Sequence, residues 1–289
     1  MIELIVNPIA GGGLAREIAM KATQRLKERS IAFELHMTER PGQATELARE
    51  AAKRGSETVI AFGGDGTITE TAAGLRGTKT ALGIIPSGTG NDFIKSAGIP
   101  RQWEQALDFI LTHPARPVNS GMANDRLFLN ECGTGFDVMV LDFAERVKTR
   151  FRGMLPYLYG VVRAVAAFRP IPMHIEVGDE AVLDGSYMVC AVGNGSYIGG
   201  GIPITPGADL TDGLLDVLVV DAVPRWRIPF YLPALLKGTL HTKKGVAHRY
   251  LVPYCRLKCE HMRLNMDGEI LPMDEARFTC ESDALLLHW

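Results

Sequence analysis

Residues 62–67 read Phe-Gly-Gly-Asp-Gly-Thr and stand between an apolar run, residues 57–62, and a helical run, residues 68–75. Glycines at this point allow positive φ and a close approach of backbone amides to a phosphate. The helix that follows offers unpaired N–H groups and its positive dipole end. Asp65 does not suit simple anion binding, because a carboxylate repels phosphate unless a divalent cation or a proton intervenes. The loop therefore predicts a Mg²⁺-nucleotide site, and the alternative is an ordinary turn that caps a helix.

Two further loops have a similar character. Residues 84–93 read Ile-Ile-Pro-Ser-Gly-Thr-Gly-Asn-Asp-Phe, follow a buried apolar strand and end at the carboxylate of Asp92. Residues 7–13 read Asn-Pro-Ile-Ala-Gly-Gly-Gly and leave the first predicted strand, while Thr38 ends the second. Because ligands bind beyond the carboxyl ends of parallel strands, we expect these loops to share one edge of a sheet.

The pattern of strands and helices changes near residue 115. Before it, short apolar runs alternate with helical segments, which is typical of parallel βαβ units. After it, strands are separated by glycine-rich turns. The predicted strands are 127–130, 173–177, 187–192, 214–220, 251–258, 261–265 and 277–279, and the helical runs are 136–147, 155–168 and 227–236. We therefore predict an α/β domain at 1–117 and a mainly antiparallel β domain at 118–289, with return of the last residues to the first domain left open.

The overall composition excludes several classes of protein. The chain has 289 residues, of which 46% are apolar and 22% charged, so it is neither disordered nor collagen-like. Its five cysteines lack the spacing of a disulfide framework and fit a reducing compartment. The first residues resemble a strand rather than a signal peptide, and no apolar run is long enough to span a bilayer. We expect a cytoplasmic protein.

The net charge of −2 conceals two basic stretches, residues 146–175 and 222–259, which contain no acid and together carry +14. Within them, residues 150–158 and 225–233 mix cations with aromatic and aliphatic side chains. That mixture predicts peripheral contact with an anionic membrane at its inner face, and the alternative is a solvated rim around an internal helix. Nucleic acid is not a predicted partner, because no recognised binding motif accompanies the charge.

Several motifs together resemble the diacylglycerol kinase catalytic family, and in particular its small bacterial lipid kinases, the YegS/BmrU-like and DgkB-like group. They are Asn7-Pro8, Thr38-Glu39, residues 63–67 and 86–93, and the segments 130–136, 193–201, 206–216 and 267–269. The resemblance covers essentially the whole chain. The Gly-Gly-Asp-Gly element is shared with NAD kinases and phosphofructokinases, whereas the loop at 86–92 is more specific.

The resemblance implies an α/β nucleotide domain, a C-terminal β-sandwich and the use of ATP with Mg²⁺. The residues it places at the nucleotide are Asn7, Thr38, Gly63, Gly64, Asp65, Gly66, Thr67, Ile68, Thr69 and Thr89. It places Asp65 and Asp92 in an aspartate, water and Mg²⁺ network. It also implies a structural Mg²⁺ site at Asp212 with the backbone carbonyls of Asp209 and Leu214, near Asp216.

For proton transfer the resemblance implies Glu269 as the base that accepts the proton of the lipid hydroxyl, with Asp267 as the other candidate. From the residues alone, Asp267-Gly268 predicts only a hairpin turn. Three departures weaken parts of this assignment. Ala10-Gly11-Gly12 lacks a lysine that the family often has there, Thr69 replaces a common asparagine, and Thr211 replaces the first aspartate of the usual Asp-Asp-Gly.

The leading hypothesis is an ATP- and Mg²⁺-dependent kinase that phosphorylates a hydroxyl of diacylglycerol or a related amphipathic lipid alcohol. Phosphoryl transfer needs charge neutralisation, an in-line alcohol and an acceptor for its proton, and the acidic set meets the first and last needs. Two alternatives stand: a kinase of a soluble substrate such as NAD, and a nucleotide-binding regulator without catalysis. The sequence leaves the lipid and the oligomeric state, including a homodimer, open.

Overall fold

The computed structural model describes residues 1–88, 90–147 and 155–289. The chain divides into two compact units. Unit 1 comprises Met1–Ser120, Leu210–Gly213 and Glu281–Trp289, and unit 2 comprises Gly121–Asp209 and Leu214–Cys280.

Unit 1 alternates strands and helices as the sequence predicts. Its elements are β1 (Ile2–Val6), α1 (Leu14–Glu28), β2 (Phe33–Met37), α2 (Gln43–Lys53), β3 (Thr58–Gly63), α3 (Asp65–Leu75), β4 (Ala81–Pro86), α4 (Asp92–Ser96) and α5 (Trp103–Thr112). The strands pair in parallel in the order β4, β3, β1, β2. Near the end of the chain, Leu286 and Leu287 add to β4 in parallel. The prediction of a parallel βαβ sheet is confirmed.

The strands and the helices of unit 1 bury their apolar residues in different patterns. Every residue of β3 and β4 is buried, as expected of central strands in a parallel sheet covered on both faces. Helix α1 turns a stripe of small and aliphatic side chains to the sheet, among them Ile18, Ala22 and Leu26. These contacts fix the strand ends, from which the glycine-rich loops leave.

Unit 2 is mainly antiparallel, as the sequence predicts. After β5 (Ala115–Ala123), which leads into it, the elements are β6 (Arg126–Phe128), β7 (Glu131–Gly135), α6 (Phe136–Glu145), α7 (Leu155–Ala167), β8 (Ile171–Val177), β9 (Ala181–Gly193), β10 (Tyr197–Ile198), β11 (Ile202–Pro203), β12 (Leu215–Asp221), α8 (Ile228–Leu236), β13 (Ala247–Val252), β14 (Tyr254–Met266) and β15 (Glu269–His288). Strands β9 and β14 are long enough that each pairs with β8 along one half and with β7 along the other. Side chains from these strands form one apolar core, which includes Leu257 of β14 together with Phe128 of β6 and Phe278 of β15.

Three predicted strand boundaries are wrong. The run 251–258 is divided at Pro253, because Val252 ends β13 and Tyr254 begins β14. The predicted gap between the runs 251–258 and 261–265 is an irregularity inside one strand. The register of β14 shifts between Lys258 and Met262, where His261 adopts φ +53°. The run 277–279 is the middle of β15, and strand β7 is missing from the prediction because its glycines hide the β pattern.

Candidate functional site

Three loops meet at the carboxyl end of the unit 1 sheet. One follows β1, one follows β3 and one follows β4, as the sequence predicts from their position after neighbouring strands. They surround a cavity of about 320 Å³. Its lining consists of Asn7, Ala10, Gly11, Gly64, Asp65, Gly66, Thr67, Gly88 and Gly90. We call this space the glycine cavity.

Glycine is required in these loops because the backbones touch. A Cβ on Gly11, whose φ is +61°, would come within 2.2 Å of the carbonyl oxygen of Ser87. A Cβ on Gly88 would come within 2.3 Å of the Cα of Gly64. The loops therefore pack main chain against main chain, which keeps side chains off much of the cavity wall.

Polar side chains connect the loops. The Asn7 Nδ2 group donates to Thr67 Oγ1 at 3.2 Å, and the Asn7 backbone N–H donates to the carbonyl oxygen of Phe62 at 3.0 Å. Helix α3 begins at Asp65, so its first N–H groups lie beside this wall. The wall thus combines amide groups, a hydroxyl and one carboxylate.

Asp65 ties the loop after β3 to the loop after β4. Its Oδ1 accepts the backbone N–H groups of Asp92 at 2.9 Å and Phe93 at 3.4 Å, at the start of α4. Lys95, on the same short helix, donates to Asp92 Oδ1 at 2.7 Å and to the carbonyl oxygen of Gly90 at 3.4 Å. The Lys95 and Asp92 side chains are only 19% and 13% exposed, so water screens this ion pair weakly.

The glycine cavity fits a phosphate chain with a divalent cation. Amide groups and a helix start suit phosphate oxygens, and the carboxylate of Asp65 supplies the hard oxygen ligand that Mg²⁺ prefers. The Oδ2 atom of Asp65 lies 2.8 Å from the position a Cβ of Gly90 would take. A larger residue at position 90 would therefore collide with this carboxylate.

The other residues assigned to the nucleotide lie at different depths. Thr38 follows β2 and donates its backbone N–H to the carbonyl oxygen of Val6 at 2.8 Å. Val6 precedes Asn7, but Thr38 itself does not line the glycine cavity. Ile68 is fully buried in the core of unit 1, and Thr69 is half-buried on α3. Thr89 lies outside the described residues.

The Asp267-Gly268 turn in unit 2 separates the two candidate bases. Both residues have positive φ, +46° and +96°, and Met266 pairs with Glu269 across the two-residue loop, as a type I′ hairpin requires. The Asp267 carboxylate accepts the backbone N–H groups of Leu129 at 2.7 Å, Asn130 at 3.0 Å and Glu131 at 2.9 Å. Three amide donors stabilise a carboxylate in its ionised form and make it a poor proton acceptor.

Glu269 has different surroundings. Its side chain is 60% exposed, and its Oε2 accepts a hydrogen bond from Arg126 Nη2 at 2.9 Å. Arg126 is itself 53% exposed. The carboxylate of Glu269 therefore remains accessible to a ligand, whereas that of Asp267 is occupied by the backbone.

The residues assigned to a structural Mg²⁺ site stand just before β12. Asp209, Asp212 and Leu214 are neighbours in this segment, and Gly213 between them has φ +75°. Asp216, one residue into β12, is buried and ion-paired with Arg249. The Mg²⁺ role of the first three stays a prediction.

Sequence reasoning missed Asp137. It lies in the first turn of α6, and its oxygens are buried beside Gly133, where a Cβ would come within 2.4 Å of Asp137 Oδ2 and 2.9 Å of Glu131 Oε1. Burial raises the pKa of Asp137 to about 6, although backbone amides and Asn265 oppose the shift. The available sequence signal is that Asp137 directly follows residues 130–136, one of the segments that carry the family resemblance. Sequence reasoning also missed Lys95 and Arg126, because only the folded structure shows that they contact Asp92 and Glu269.

Unit 2 also holds an apolar cavity of about 50 Å³ under α8. Its lining includes Phe136, Met188, Val220, Ile228, Tyr231 and Leu235. The inner face of α8 thus forms one wall of a space that suits hydrocarbon and not polar groups.

Two family models match the chain. The model described as "Diacylglycerol kinase catalytic domain" matches residues 1–123, and the model described as "YegS C-terminal NAD kinase beta sandwich-like domain" matches residues 130–288. The second match agrees with the antiparallel architecture of unit 2 and with the predicted β-sandwich.

Similar proteins support the same assignment. A Bacillus subtilis (strain 168) protein named "Diacylglycerol kinase" is 31% identical, with 92% of this chain and 89% of the relative covered. A Cronobacter sakazakii protein named "Probable lipid kinase YegS-like" is 32% identical over 98% of this chain and 93% of the relative. A crystal structure described as a "putative diacylglycerol kinase" from Bacillus anthracis superimposes with a TM-score of 0.83 at 27% identity, covering all of this chain and 96% of the other.

Proposed function

The chain belongs to the diacylglycerol kinase family, and we propose that it transfers the γ-phosphoryl group of ATP to a hydroxyl of diacylglycerol or of a related amphipathic lipid. The observation that carries this proposal is the glycine cavity, with its wall of glycine backbone and the single carboxylate of Asp65. Such a wall suits a Mg²⁺-nucleotide better than it suits free phosphate.

Unit 1 positions the nucleotide in this proposal. Asn7, Gly64, Gly66 and Thr67 would offer amide, hydroxyl and backbone groups to the phosphates, and Asp65 would hold Mg²⁺. When bound, Mg²⁺ supplies positive charge that offsets the charge developing on the transferred phosphoryl group. Asp92 acts in the same network, oriented by Lys95. Asp209, Asp212 and Leu214 would hold a second, structural Mg²⁺.

Glu269 accepts the proton in this proposal. The lipid hydroxyl oxygen forms a bond to the γ-phosphorus, the bond from phosphorus to the β–γ bridging oxygen breaks, and ADP leaves. The hydroxyl proton passes to the Glu269 carboxylate as the new bond forms. Asp267 is disfavoured as the base because three backbone amides already occupy its oxygens. Arg126 orients Glu269 from its side.

Two features of unit 2 support a lipid as the acceptor. The apolar cavity under α8 suits the end of an acyl chain, and the acid-free stretches suit an anionic surface. None of the helices in the described ranges has the length and apolarity needed to cross a membrane. From the apolar cavity and the acid-free stretches we propose that the protein works at the inner face of the cytoplasmic membrane as a peripheral protein.

The soluble-substrate alternative is not favoured. Family membership points to lipid kinases, and the apolar cavity adds to that. A regulator without catalysis would leave Glu269 without a role, although its carboxylate is the accessible one.

A lipid-panel kinase assay tests the proposal. Labelled ATP, Mg²⁺ and extracted lipids are incubated with the protein, and products are identified by mass spectrometry. We expect a phosphorylated lipid whose formation falls at least 100-fold in Asp65→Asn, because this variant keeps an acceptor for the α4 amides but lacks the charge that holds Mg²⁺. Asp125→Asn, at an exposed turn, is the matched control. Unchanged lipid phosphorylation in Asp65→Asn would overturn the proposal, as would phosphorylation of NAD alone.

A further inference from the structure

Helix α8 is apolar on two opposite faces. Its sequence, Ile-Pro-Phe-Tyr-Leu-Pro-Ala-Leu-Leu, contains no charged residue. Ile228, Tyr231 and Leu235 face inward and line the apolar cavity. On the outer side Phe230 is 74% exposed and Leu236 is 58% exposed. A helix that is hydrophobic all round is normally buried, so the outer face requires an explanation.

Trp226 extends this outer face beyond the start of the helix. Its side chain is 71% exposed, and its ring contacts that of Phe230 edge-on at 6.5 Å. The guanidinium of Arg227 lies over the Trp226 ring at 5.8 Å. Two aromatic rings with a stacked cation are typical of side chains at the headgroup level of a bilayer.

Cations flank both ends of α8, with Arg225 and Arg227 before its first residue and Lys237 after its last. Arg225 and Arg227 precede its N-terminus, where the dipole disfavours positive charge, and its first turn contains no acid. Arg227 and Lys237 are exposed, and neither forms an ion pair with a carboxylate of the described residues. These charges are therefore available to anions outside the protein.

Other cations of the same acid-free stretch are not available. Arg249 pairs with Asp216, and Arg256 pairs with Glu275 at 2.7 Å. The pairing of Arg249 and Arg256 thus lowers the available charge of the stretch 222–259, while Arg227 and Lys237 at the ends of α8, together with Lys243 and Lys244, stay exposed. Residues 148–154 of the first basic stretch lie outside the described residues.

Helix α7 adds a second exposed apolar face next to this one. Leu158 and Val162 are each 61% exposed, and Arg163 is exposed beside them. The two helices are joined where Arg225 Nε donates to the carbonyl oxygen of Phe168 at 2.9 Å, just after α7. Their inner faces pack on one apolar cluster, which contains Phe168 and Ile228.

We infer that the outer face of residues 225–237, flanked by the exposed face of α7, is a membrane-docking surface that inserts Trp226 and Phe230 among the headgroups of an anionic bilayer. The inference rests on the proposed function, because a lipid acceptor places the protein at a bilayer. It adds which residues make the contact. Charge complementarity selects the occupant: cations surround the rings, and no acid lies in the stretch.

Vesicle binding without nucleotide tests the inference. The full chain is sedimented with vesicles of phosphatidylcholine containing phosphatidylglycerol, and with vesicles of phosphatidylcholine alone, at low and high salt. We expect binding only to the anionic vesicles, weakened by salt. The double variant W226S/F230S should bind at least tenfold less tightly, and R227Q/K237Q about fivefold less per cation removed.

Matched controls separate docking from general surface effects. Val182, 63% exposed and opposite Glu176 on the neighbouring strand, gives the apolar control Val182→Ser, and K27Q/K79Q removes two exposed cations of unit 1. Both should bind vesicles like the unaltered chain. A blue shift of tryptophan emission on binding should vanish in Trp226→Phe, which keeps an apolar ring but loses the indole.

Three outcomes would overturn the inference. One is equal binding by W226S/F230S and Val182→Ser. Another is a monomer–dimer equilibrium, seen by analytical ultracentrifugation, that W226S/F230S abolishes, because the face would then join two copies. The third is phosphorylation of a water-soluble short-chain diacylglycerol with no binding to anionic vesicles. Binding with no phosphorylation of any lipid would instead overturn the proposed function and leave the docking surface standing.

Discussion

The glycine cavity of unit 1 and the Asp267–Glu269 turn of unit 2 use carboxylates in different ways. At the glycine cavity one carboxylate, Asp65, both contacts backbone amides and lines the space assigned to the nucleotide. At the turn these two tasks fall to different residues. Asp267 accepts three backbone amides, whereas Glu269, two residues later, is exposed and accepts a hydrogen bond from Arg126.

At the turn one carboxylate, Asp267, contributes to stability and another, Glu269, is assigned to catalysis. At the glycine cavity Asp65 serves both purposes. A substitution of Asp65 that removes both oxygens alters loop geometry and ligand charge together, and only Asp65→Asn keeps an acceptor for the α4 amides. Asp267 and Glu269 can be changed one at a time. The turn is therefore the place where the proposed roles are tested most cleanly.

The largest expected effect is on activity in Glu269→Gln. Glutamine keeps the size of the side chain and an acceptor for Arg126 but cannot take up a proton. We expect kcat for lipid phosphorylation to fall by about 10²–10⁴-fold, the usual contribution of a general base. The KM for ATP should stay within about threefold, and the free energy of unfolding within about 0.5 kcal/mol, as for other exposed positions. Full activity in this variant would remove Glu269 from the mechanism.

The next effect is on stability, in Asp267→Asn. Asparagine tolerates the positive φ of this turn, so the backbone conformation is kept, but its amide group replaces one oxygen that accepts an N–H. We expect a loss of about 2–4 kcal/mol in the free energy of unfolding, measured by urea denaturation, because charged hydrogen bonds are lost and amides are left unpaired. Activity per folded molecule should fall less than tenfold. A loss of activity as large as that of Glu269→Gln, with unchanged stability, would instead make Asp267 the base.

The two regions were not equally predictable from sequence. At the glycine cavity each part lies within a few residues of a strand end, so spacing alone predicted that residues 7–13, 62–67 and 84–93 meet at one edge. The alternation of apolar runs predicted the parallel sheet for the same local reason. What failed was β14, where the irregularity at His261 looks like the gap between two strands.

At the turn, sequence predicted the hairpin but not the division of roles. Asp267 bonds to amides that are 136–138 residues away in sequence, and Arg126 is 143 residues from Glu269. No local pattern contains such pairs. For the same reason sequence overestimated the free charge of residues 222–259, since Arg249 and Arg256 meet acids from other strands.

Asp137 extends the comparison to a carboxylate that is buried rather than held at a turn. Burial raises its pKa from 3.8 to about 6, so the folded protein binds its proton more tightly than the unfolded chain. Stability from this group is therefore full below about pH 4 and is lost as pH rises through about 6. In Asp137→Asn the free energy of unfolding should depend less on pH. Its difference from that of the unaltered chain should change by about 3 kcal/mol between pH 4 and pH 7.5. Parallel thermal unfolding curves across that range would show that Asp137 is not the group responsible.

The smallest effect compares one ion pair from each region. Lys95 and Asp92 at the glycine cavity are mostly buried, whereas Arg126 and Glu269 at the turn are more than half exposed. Lys95→Met leaves Asp92 without its cation and the Gly90 carbonyl without its donor, and we expect a loss of about 1–2 kcal/mol in stability. Because the loop at the cavity loosens, the KM for ATP should rise about three- to tenfold, and Lys95→Arg should recover most of it. Arg126→Met should cost less than about 1 kcal/mol, as exposed pairs do. If calorimetry and denaturation gave equal losses for Lys95→Met and Arg126→Met, burial would not distinguish the two regions, and Lys95 would have no special part in holding the loop beside the nucleotide.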